Sequence, residues 1–187
     1  KEINLSGNQI KSLPDGIFDG VRGLQKLYIA HNKLTNLSAG IFRSNTDLRE
    51  ISIHGNSRLI VLPPDIFQNN TNLELLDWSN NIMKTLPMDF FSTWSFQLSV
   101  LLIKNTNLAT LNADVFQDCT NLKTLGLDGN KLTHLPPRLF QHHKKLMIVG
   151  LSGNPLNTLP EALFGTEINS LTHLYIQGDT FTKDHRL

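Results

Sequence analysis

The sequence has few of the features that mark most functional classes. Its 187 residues include one cysteine, Cys119, so the chain cannot form an internal disulfide. Basic and acidic residues number 17 and 16, for a net charge of +1. That balance argues against a nucleic-acid footprint or a polybasic membrane patch. The sequence also contains no run of about 18 apolar residues, so it predicts no membrane-spanning helix.

Catalytic and metal-binding patterns are missing as well. No serine–histidine–acid or paired-carboxylate constellation stands out, and residues 126–129 are too short for a phosphate-binding loop. The adjacent His142 and His143 point in different directions and are expected in a solvated loop, not around a metal. Cys119 follows Phe116 by three residues, at a position expected to face inward, which predicts a buried structural thiol. The sequence therefore predicts no enzyme, no cofactor and no metal site.

What the sequence does contain is a repeat of 24 or 25 residues. Most of the ten phenylalanines keep this spacing: Phe18, Phe42, Phe67, Phe91, Phe116, Phe140 and Phe164. Asparagines keep it too: Asn8, Asn32, Asn56, Asn81, Asn130 and Asn154. The clearest copy, residues 122–136, contains L-x-x-L-x-L-x-x-N-x-L, which is the leucine-rich repeat.

The chemistry of the motif predicts how each repeat folds. Alternating apolar residues such as Leu125 and Leu127 predict a short strand with its leucines pointing inward. An asparagine amide both donates and accepts, so the asparagines predict a hydrogen-bonded ladder at the turn after each strand. Thr106 and Asp179 stand where asparagine is expected, and Thr106 predicts a weakened ladder.

The fold predicted is an α/β solenoid. We expect a leucine-rich-repeat horseshoe with a parallel concave sheet of about eight short strands, and a convex side of irregular or helical turns. The phenylalanines would fill the thick end of the core and stack on one another. Each repeat would be stabilised mainly by its neighbours, because no single repeat buries its own apolar edges.

Residues 1–187 are predicted to form one solenoid segment. The predicted repeats are 1–23, 24–47, 48–72, 73–97, 98–121, 122–145, 146–170 and 171–187. Solenoids usually close both ends with polar caps. The sequence has no cap-like cysteine cluster, and it opens inside a core repeat without a signal peptide. We therefore expect an internal segment of a longer protein, which also accounts for the lone cysteine without a reducing compartment.

The phenylalanine-bearing unit, as in residues 5–18, resembles the typical subtype of extracellular leucine-rich repeats. Toll and Toll-like receptor ectodomains, variable lymphocyte receptors and matrix proteoglycans share this subtype. Segments 68–73, 117–122 and 139–146 most resemble invertebrate Toll receptors. That resemblance implies a single-pass receptor of innate immunity or development, whose ectodomain binds a protein or microbial ligand and brings two receptor chains together.

Two other readings remain open at this point. One is a secreted binding or matrix protein, similar to a variable lymphocyte receptor or a proteoglycan, and the other is a cytosolic scaffold. Capping sequences and a membrane segment outside this chain would separate the three readings. The Toll resemblance implies an extracellular location, with the membrane reached only through a segment outside this chain. No nucleic-acid partner is expected.

The outward positions of the predicted strands form columns across the concave face, where packing does not fix their identity. Leu75, Val100 and Leu102 predict an apolar cluster near the centre, beside Asp77 and Lys104. Exposed apolar groups rimmed by polar ones often mark contact sites. The alternatives are that this cluster only packs with its neighbours, or that binding uses the lateral edge. The candidate ligand-binding residues are Tyr28, His54, Leu75, Asp77, Val100, Leu102, Lys104, Asp128 and Tyr175.

Three sequons predict glycosylation sites if the protein is secreted, although some would occur by chance in a sequence this rich in asparagine, serine and threonine. They begin at Asn4, Asn36 and Asn69. Asn36 and Asn69 are expected outside the strands. Asn4 is expected in the middle of a strand on the free face, where a glycan would obstruct that face locally.

Overall fold

The computed structural model of the chain describes residues 1–165 and 169–177. Eight parallel strands of three residues form one sheet in chain order, and each pairs with its neighbours along the chain. The strands are β1 Glu2–Asn4, β2 Lys26–Tyr28, β3 Glu50–Ser52, β4 Leu75–Asp77, β5 Val100–Leu102, β6 Thr124–Gly126, β7 Ile148–Gly150 and β8 His173–Tyr175. The predicted leucine-rich-repeat solenoid is confirmed.

The convex side is irregular. Turns connect the strands, and the one helix among the described residues is a short 3-10 helix, Ser95–Gln97. Within residues 1–165 and 169–177, no helix has the length and apolarity needed to cross a membrane. Of the two convex arrangements expected from the sequence, irregular turns therefore predominate.

The central residue of each strand points into the core, because side chains alternate along a strand. Leu27, Ile51, Leu76, Leu101 and Leu125 are fully buried at this position. Burying such a side chain contributes about 1.5–3 kcal/mol to stability. Since every repeat contributes the same inward positions, one continuous apolar core runs along the solenoid and holds the outward positions in register.

The phenylalanines line the opposite end of this core and stack across repeats. The rings of Phe18 and Phe42 are 6.2 Å apart, and those of Phe42 and Phe67 are 5.7 Å apart. Trp94 then lies 5.0 Å from Phe67. Phe91, Phe116 and Phe140 are buried as well, whereas Phe164 is half-buried. The expected aromatic filling of the thick end of the core is thus present, with Trp94 inserted at its centre.

The ladder asparagines after most of the strands link two repeats. The Nδ2 of Asn56 donates to the carbonyls of Ile29 and Ile53, at 3.1 and 2.9 Å, and its Oδ1 accepts from the amide of Leu34 at 3.1 Å. Asn32, Asn81, Asn130 and Asn154 bridge repeats in the same way. The first asparagine, Asn8, is exposed and donates only within its own repeat. Asp179 lies outside the described residues.

At Thr106 the ladder changes its donors and acceptors. The amide and the hydroxyl of Thr106 both donate to Asn130 Oδ1, at 3.0 and 2.9 Å. The amide of Met83 donates to the main-chain carbonyl of Thr106 at 2.6 Å. The main-chain carbonyl of Thr106 thus accepts a hydrogen bond where the other repeats use an asparagine Oδ1. Threonine has no Nδ2, so the hydrogen bonds that this nitrogen donates in the other repeats are absent here.

A second column of buried residues runs three residues after the phenylalanines, and the sequence analysis missed its polar members. Asn45 and Asn70 are buried there and donate to the carbonyls of Phe18 and Phe42, at 3.0 and 3.2 Å. His143 fills the same position, with 1% of its surface exposed. The expectation that His143 lies in a solvated loop was therefore wrong, because its ring donor finds a buried carbonyl in the preceding repeat.

Cys119 occupies the same column and confirms the buried thiol expected from its position. It is fully buried, and its Sγ lies 3.4 Å from the hydroxyl of Ser95. Burial raises the pKa of the Cys119 thiol to about 12, because a thiolate would lose its hydration there. This thiol is part of the core and is poorly suited to nucleophilic chemistry.

Candidate ligand-binding surface

The concave face carries the outward positions in straight columns. Partners in the sheet are Tyr28 with Ser52, Ser52 with Asp77, and Asp77 with Leu102. This register continues through Gly126 and Gly150 to Tyr175. The predicted middle column is therefore continuous from β1 to β8, and neighbouring side chains on it are one strand apart.

The candidate residues are accessible from this face. Tyr175 is 49% exposed. The other eight are half-buried: Tyr28, His54, Leu75, Asp77, Val100, Leu102, Lys104 and Asp128. Other positions of the same columns are less open, since Ser52, Ala30 and Ser79 are buried. The columns are thus partly filled by small side chains that cannot reach a ligand.

An apolar cluster lies at the centre of the sheet. Leu75 and Val100 are partners on β4 and β5, and Leu102 follows two residues later on β5. Ile148, which the sequence analysis did not include, is half-buried on β7 in the same column as Leu75 and Val100. A half-buried aliphatic group retains apolar surface that a partner can cover, so this cluster is suited to contact.

Two ion pairs flank the cluster, Lys26–Glu50 on one side and Lys104–Asp128 on the other. Lys26 Nζ lies 2.7 Å from Glu50 Oε1, and the Tyr28 hydroxyl donates to Glu50 Oε2 at 2.8 Å. These hydrogen bonds from Lys26 and Tyr28 lower the pKa of the Glu50 carboxyl. Hydrogen bonding to Glu50 raises the pKa of Tyr28. The three side chains therefore hold one another in place beside β3.

Two glycines give the far half of the face its shape. A Cβ on Gly126 would lie 2.4 Å from Lys104 Cε, and one on Gly150 would lie 2.3 Å from Asp128 Oδ2. The missing side chains let Lys104 and Asp128 lie across the sheet and pair at 3.0 Å. A depression of about 340 Å³ extends from this pair to Tyr175. A spacing pattern does not reveal such a depression, because it depends on side-chain conformation.

A serine, a histidine and an acid meet on the concave face: Ser52, His54 and Asp77. The sequence analysis predicted no such constellation. Ser52 Oγ and Asp77 Oδ2 both face His54 Nδ1, at 2.8 and 3.3 Å. A nucleophilic triad needs the serine and the acid on opposite nitrogens of the imidazole ring. Because both groups share Nδ1, this arrangement orients His54 and does not activate Ser52.

The three sequon asparagines are all exposed. Asn4 is the last residue of β1, so the expectation that it lies in the middle of a strand was wrong; its side-chain oxygen accepts from the amide of Ser6 at 3.0 Å. The Asn69 amide nitrogen donates to the carbonyl of Arg43 at 3.2 Å, so glycan attachment there would use the nitrogen that makes this bond. Asn36 lies outside the strands, as expected from the sequence.

Comparison with known proteins supports the same fold. A family model described as "Leucine rich repeat" matches residues 1–57, 96–156 and 120–181. No curated protein matches the chain. Among solved structures, the TLR13–ssRNA13 complex is similar with a TM-score of 0.84 and 27% identity, over 94% of this chain and 25% of that chain.

Two further structures are similar. The glycosylated form of the Drosophila Toll–Spatzle complex has a TM-score of 0.72 and 26% identity, over 87% of this chain and 25% of that chain. The Leptospira interrogans leucine-rich-repeat protein LIC12759 has a TM-score of 0.81 and 28% identity, over 92% of this chain and 41% of that chain. The chain thus spans about a quarter of the receptor chains that it resembles. It belongs to the leucine-rich-repeat family and is similar to the repeats of Toll and Toll-like receptor ectodomains.

Proposed function

We propose that this chain is a ligand-binding segment of the ectodomain of a Toll-type receptor, and that its concave face contacts a protein ligand. The similarity to Toll and TLR13 structures supports the receptor class. The observation that carries the proposal is the central apolar cluster of Leu75, Val100 and Leu102, accessible on the sheet. These residues contribute neither to the asparagine ladder nor to the buried core.

The distribution of polarity on this face matches that of a protein interface. Such interfaces combine an apolar, desolvated centre with a polar rim. Here Leu75 and Val100 form the centre, and the Lys26–Glu50 and Lys104–Asp128 pairs form the rim. Tyr28 and Tyr175 add aromatic side chains, which contribute strongly to binding at interfaces. We further propose an extracellular location and two receptor chains per signalling assembly, both from the resemblance to Toll receptors.

Two alternatives compete with this proposal, and a specific observation favours the first. The TLR13 structure is a complex with single-stranded RNA, so the sequence-based expectation of no nucleic-acid partner needs a direct test. A secreted leucine-rich-repeat binding protein would use the same face without a membrane segment. Both alternatives place recognition on repeat surfaces and require no catalysis.

The test measures binding to the immobilised full chain by surface plasmon resonance, with the Drosophila protein Spatzle and a single-stranded RNA as probes. We expect saturable binding of the protein, weakened at least tenfold by Leu102→Glu, since a buried unpaired carboxylate is costly. Met88→Glu is the matched control, because Met88 is 62% exposed and lies outside the sheet. Equal binding by both variants would contradict the concave-face proposal, and binding of RNA alone would contradict the protein-ligand proposal.

A further inference from the structure

Two histidines from adjacent repeats converge on the concave side. The Nε2 atoms of His31 and His54 are 2.9 Å apart, and the two rings are nearly perpendicular, with centroids 4.5 Å apart. His31 is exposed and His54 is half-buried, so both side chains are in contact with solvent. The residues are 23 positions apart and lie in adjacent turns of the solenoid.

The orientation of His54 is fixed from its other nitrogen. Asp77 Oδ2 and Ser52 Oγ lie 3.3 and 2.8 Å from Nδ1. A carboxylate at Nδ1 favours the tautomer with the proton there, which leaves the Nε2 lone pair free. Histidines that bind metals commonly donate their second ring N–H to a carboxylate in this way, and the contact both orients the ring and increases its basicity.

The position of the His31 ring depends on its own backbone conformation and on the space left by Gly55. Its φ is +52°, in the left-handed region, at the position just before the ladder asparagine. Glycine or asparagine occupies that position in the other described repeats: Gly7, Gly55, Asn80, Asn105, Gly129 and Gly153. A Cβ on Gly55 would lie 2.7 Å from His31 Nδ1, so only glycine leaves room for this ring. A non-glycine residue in the left-handed region is strained, and such residues concentrate at functional sites.

We propose that His31 and His54 bind one divalent transition-metal ion through their Nε2 atoms, with the remaining coordination positions open to water or to a group from a partner. Two nitrogens about 2.0–2.1 Å from a metal are about 2.9 Å apart when they meet at a right angle, and about 3.4 Å apart in a tetrahedron. The observed 2.9 Å corresponds to the right angle. Square-planar and tetragonal sites with nitrogen and oxygen ligands favour Cu²⁺ or Ni²⁺.

The site has two protein ligands, since among the described residues no group of three or more His, Cys, Asp or Glu is arranged around a common point. Asp77 faces the Nδ1 edge of His54 and acts as an orienting group. The competing explanation is a simple Nε2–H···Nε2 hydrogen bond between two neutral imidazoles, which would require no metal. These two explanations differ in what happens when metal is added.

Isothermal titration calorimetry of the full chain with CuCl2 and with NiCl2 separates them. We expect one ion per chain, and at least tenfold weaker binding after His31→Asn. Asparagine tolerates a positive φ, so this variant is expected to keep its fold, which circular dichroism checks. His142→Asn is the matched control, because His142 is exposed and lies outside the sheet.

A second variant tests the orienting role of Asp77. Asp77→Asn removes the charge at Nδ1 and is expected to weaken binding by about 10–100-fold, the usual effect of losing an outer-shell partner. Electron paramagnetic resonance of the Cu²⁺-loaded chain should show coupling to two nitrogens, and His31→Asn should reduce it to one. Equal affinity of the wild type and His31→Asn, or no binding to the wild type, would leave the imidazole hydrogen bond as the explanation and overturn the proposal.

Discussion

The Nε2 of His143 donates a 2.9 Å hydrogen bond to the carbonyl oxygen of Phe116 in the preceding repeat. Its Nδ1 is buried without a hydrogen-bond partner among the described residues. A neutral ring satisfies this arrangement, whereas a second proton would sit on the unpartnered nitrogen. Burial accordingly lowers the pKa of His143 from its ordinary value of 6.5, with neighbouring His142 adding a smaller effect in the same direction.

This geometry predicts acid sensitivity. Because the pKa of His143 is lower in the folded chain than in the unfolded chain, the unfolded state takes up the proton first. The stability that the neutral ring contributes is present above about pH 6.5, the unfolded value, and is lost as the pH falls below it. His143→Asn should flatten this part of the pH profile, since Asn45 and Asn70 fill the same column. Urea unfolding between pH 5 and 8, followed by tryptophan fluorescence, measures the difference, and parallel profiles would contradict it.

Loss of one ladder asparagine should destabilise the solenoid. Asn130→Ala removes the acceptor for Thr106 and Leu108 and the donor to Ile103 and Leu127. A buried group left without a partner costs about 1–3 kcal/mol, so the free energy of unfolding should fall by at least about 2 kcal/mol. The control is Asn8→Ala, at the equivalent exposed position, with an expected loss below about 1 kcal/mol. Similar losses in the two variants, measured by urea denaturation, would show that bridging adds nothing.

The aromatic column predicts a second contrast in stability. Phe67→Ala should cost about 3–5 kcal/mol, because it leaves a cavity between Phe42 and Trp94. Phe96 is 45% exposed, so Phe96→Ala should cost far less. Thermal unfolding followed by far-UV circular dichroism would detect the difference. A small effect at Phe67 would mean that the repeats do not share one core.

The buried thiol of Cys119 is expected to react slowly with thiol reagents. Since burial raises the pKa of Cys119 to about 12, the native chain should react with DTNB far more slowly than the urea-unfolded chain at pH 8. The absorbance released by the reagent gives both rates. Fast labelling of the native chain would mean that this repeat opens readily, since the folded thiol is fully covered.

The repeat period made the architecture predictable. Each strand contains an inward leucine or its substitute, so the sheet could be counted from the sequence. The longer repeats keep the register, since Ser52 pairs with Asp77 and Asp77 pairs with Leu102, each 25 residues apart. The extra residues are accommodated between the strands, where no sheet hydrogen bonds constrain the chain.

Side-chain conformation was the part that spacing could not predict. The column containing Cys119 was expected to be inward, yet His143 in that column was assigned to solvent because it lies beside His142 and is followed by two lysines. The contact between His31 and His54 depends on a positive φ at His31 and on the absence of a side chain at Gly55. The glycine or asparagine before each ladder position was the available sequence signal, and His31 is its exception.

Strict chain-order pairing of the eight strands confines the structural effect of a surface substitution. An outward side chain on one strand meets only those of the strands before and after it. Recognition can therefore be altered one position at a time while the interior that specifies the horseshoe is left untouched. A family built this way can diversify its ligands through mutation of the exposed columns, and can lengthen or shorten its contact area by gaining or losing entire turns.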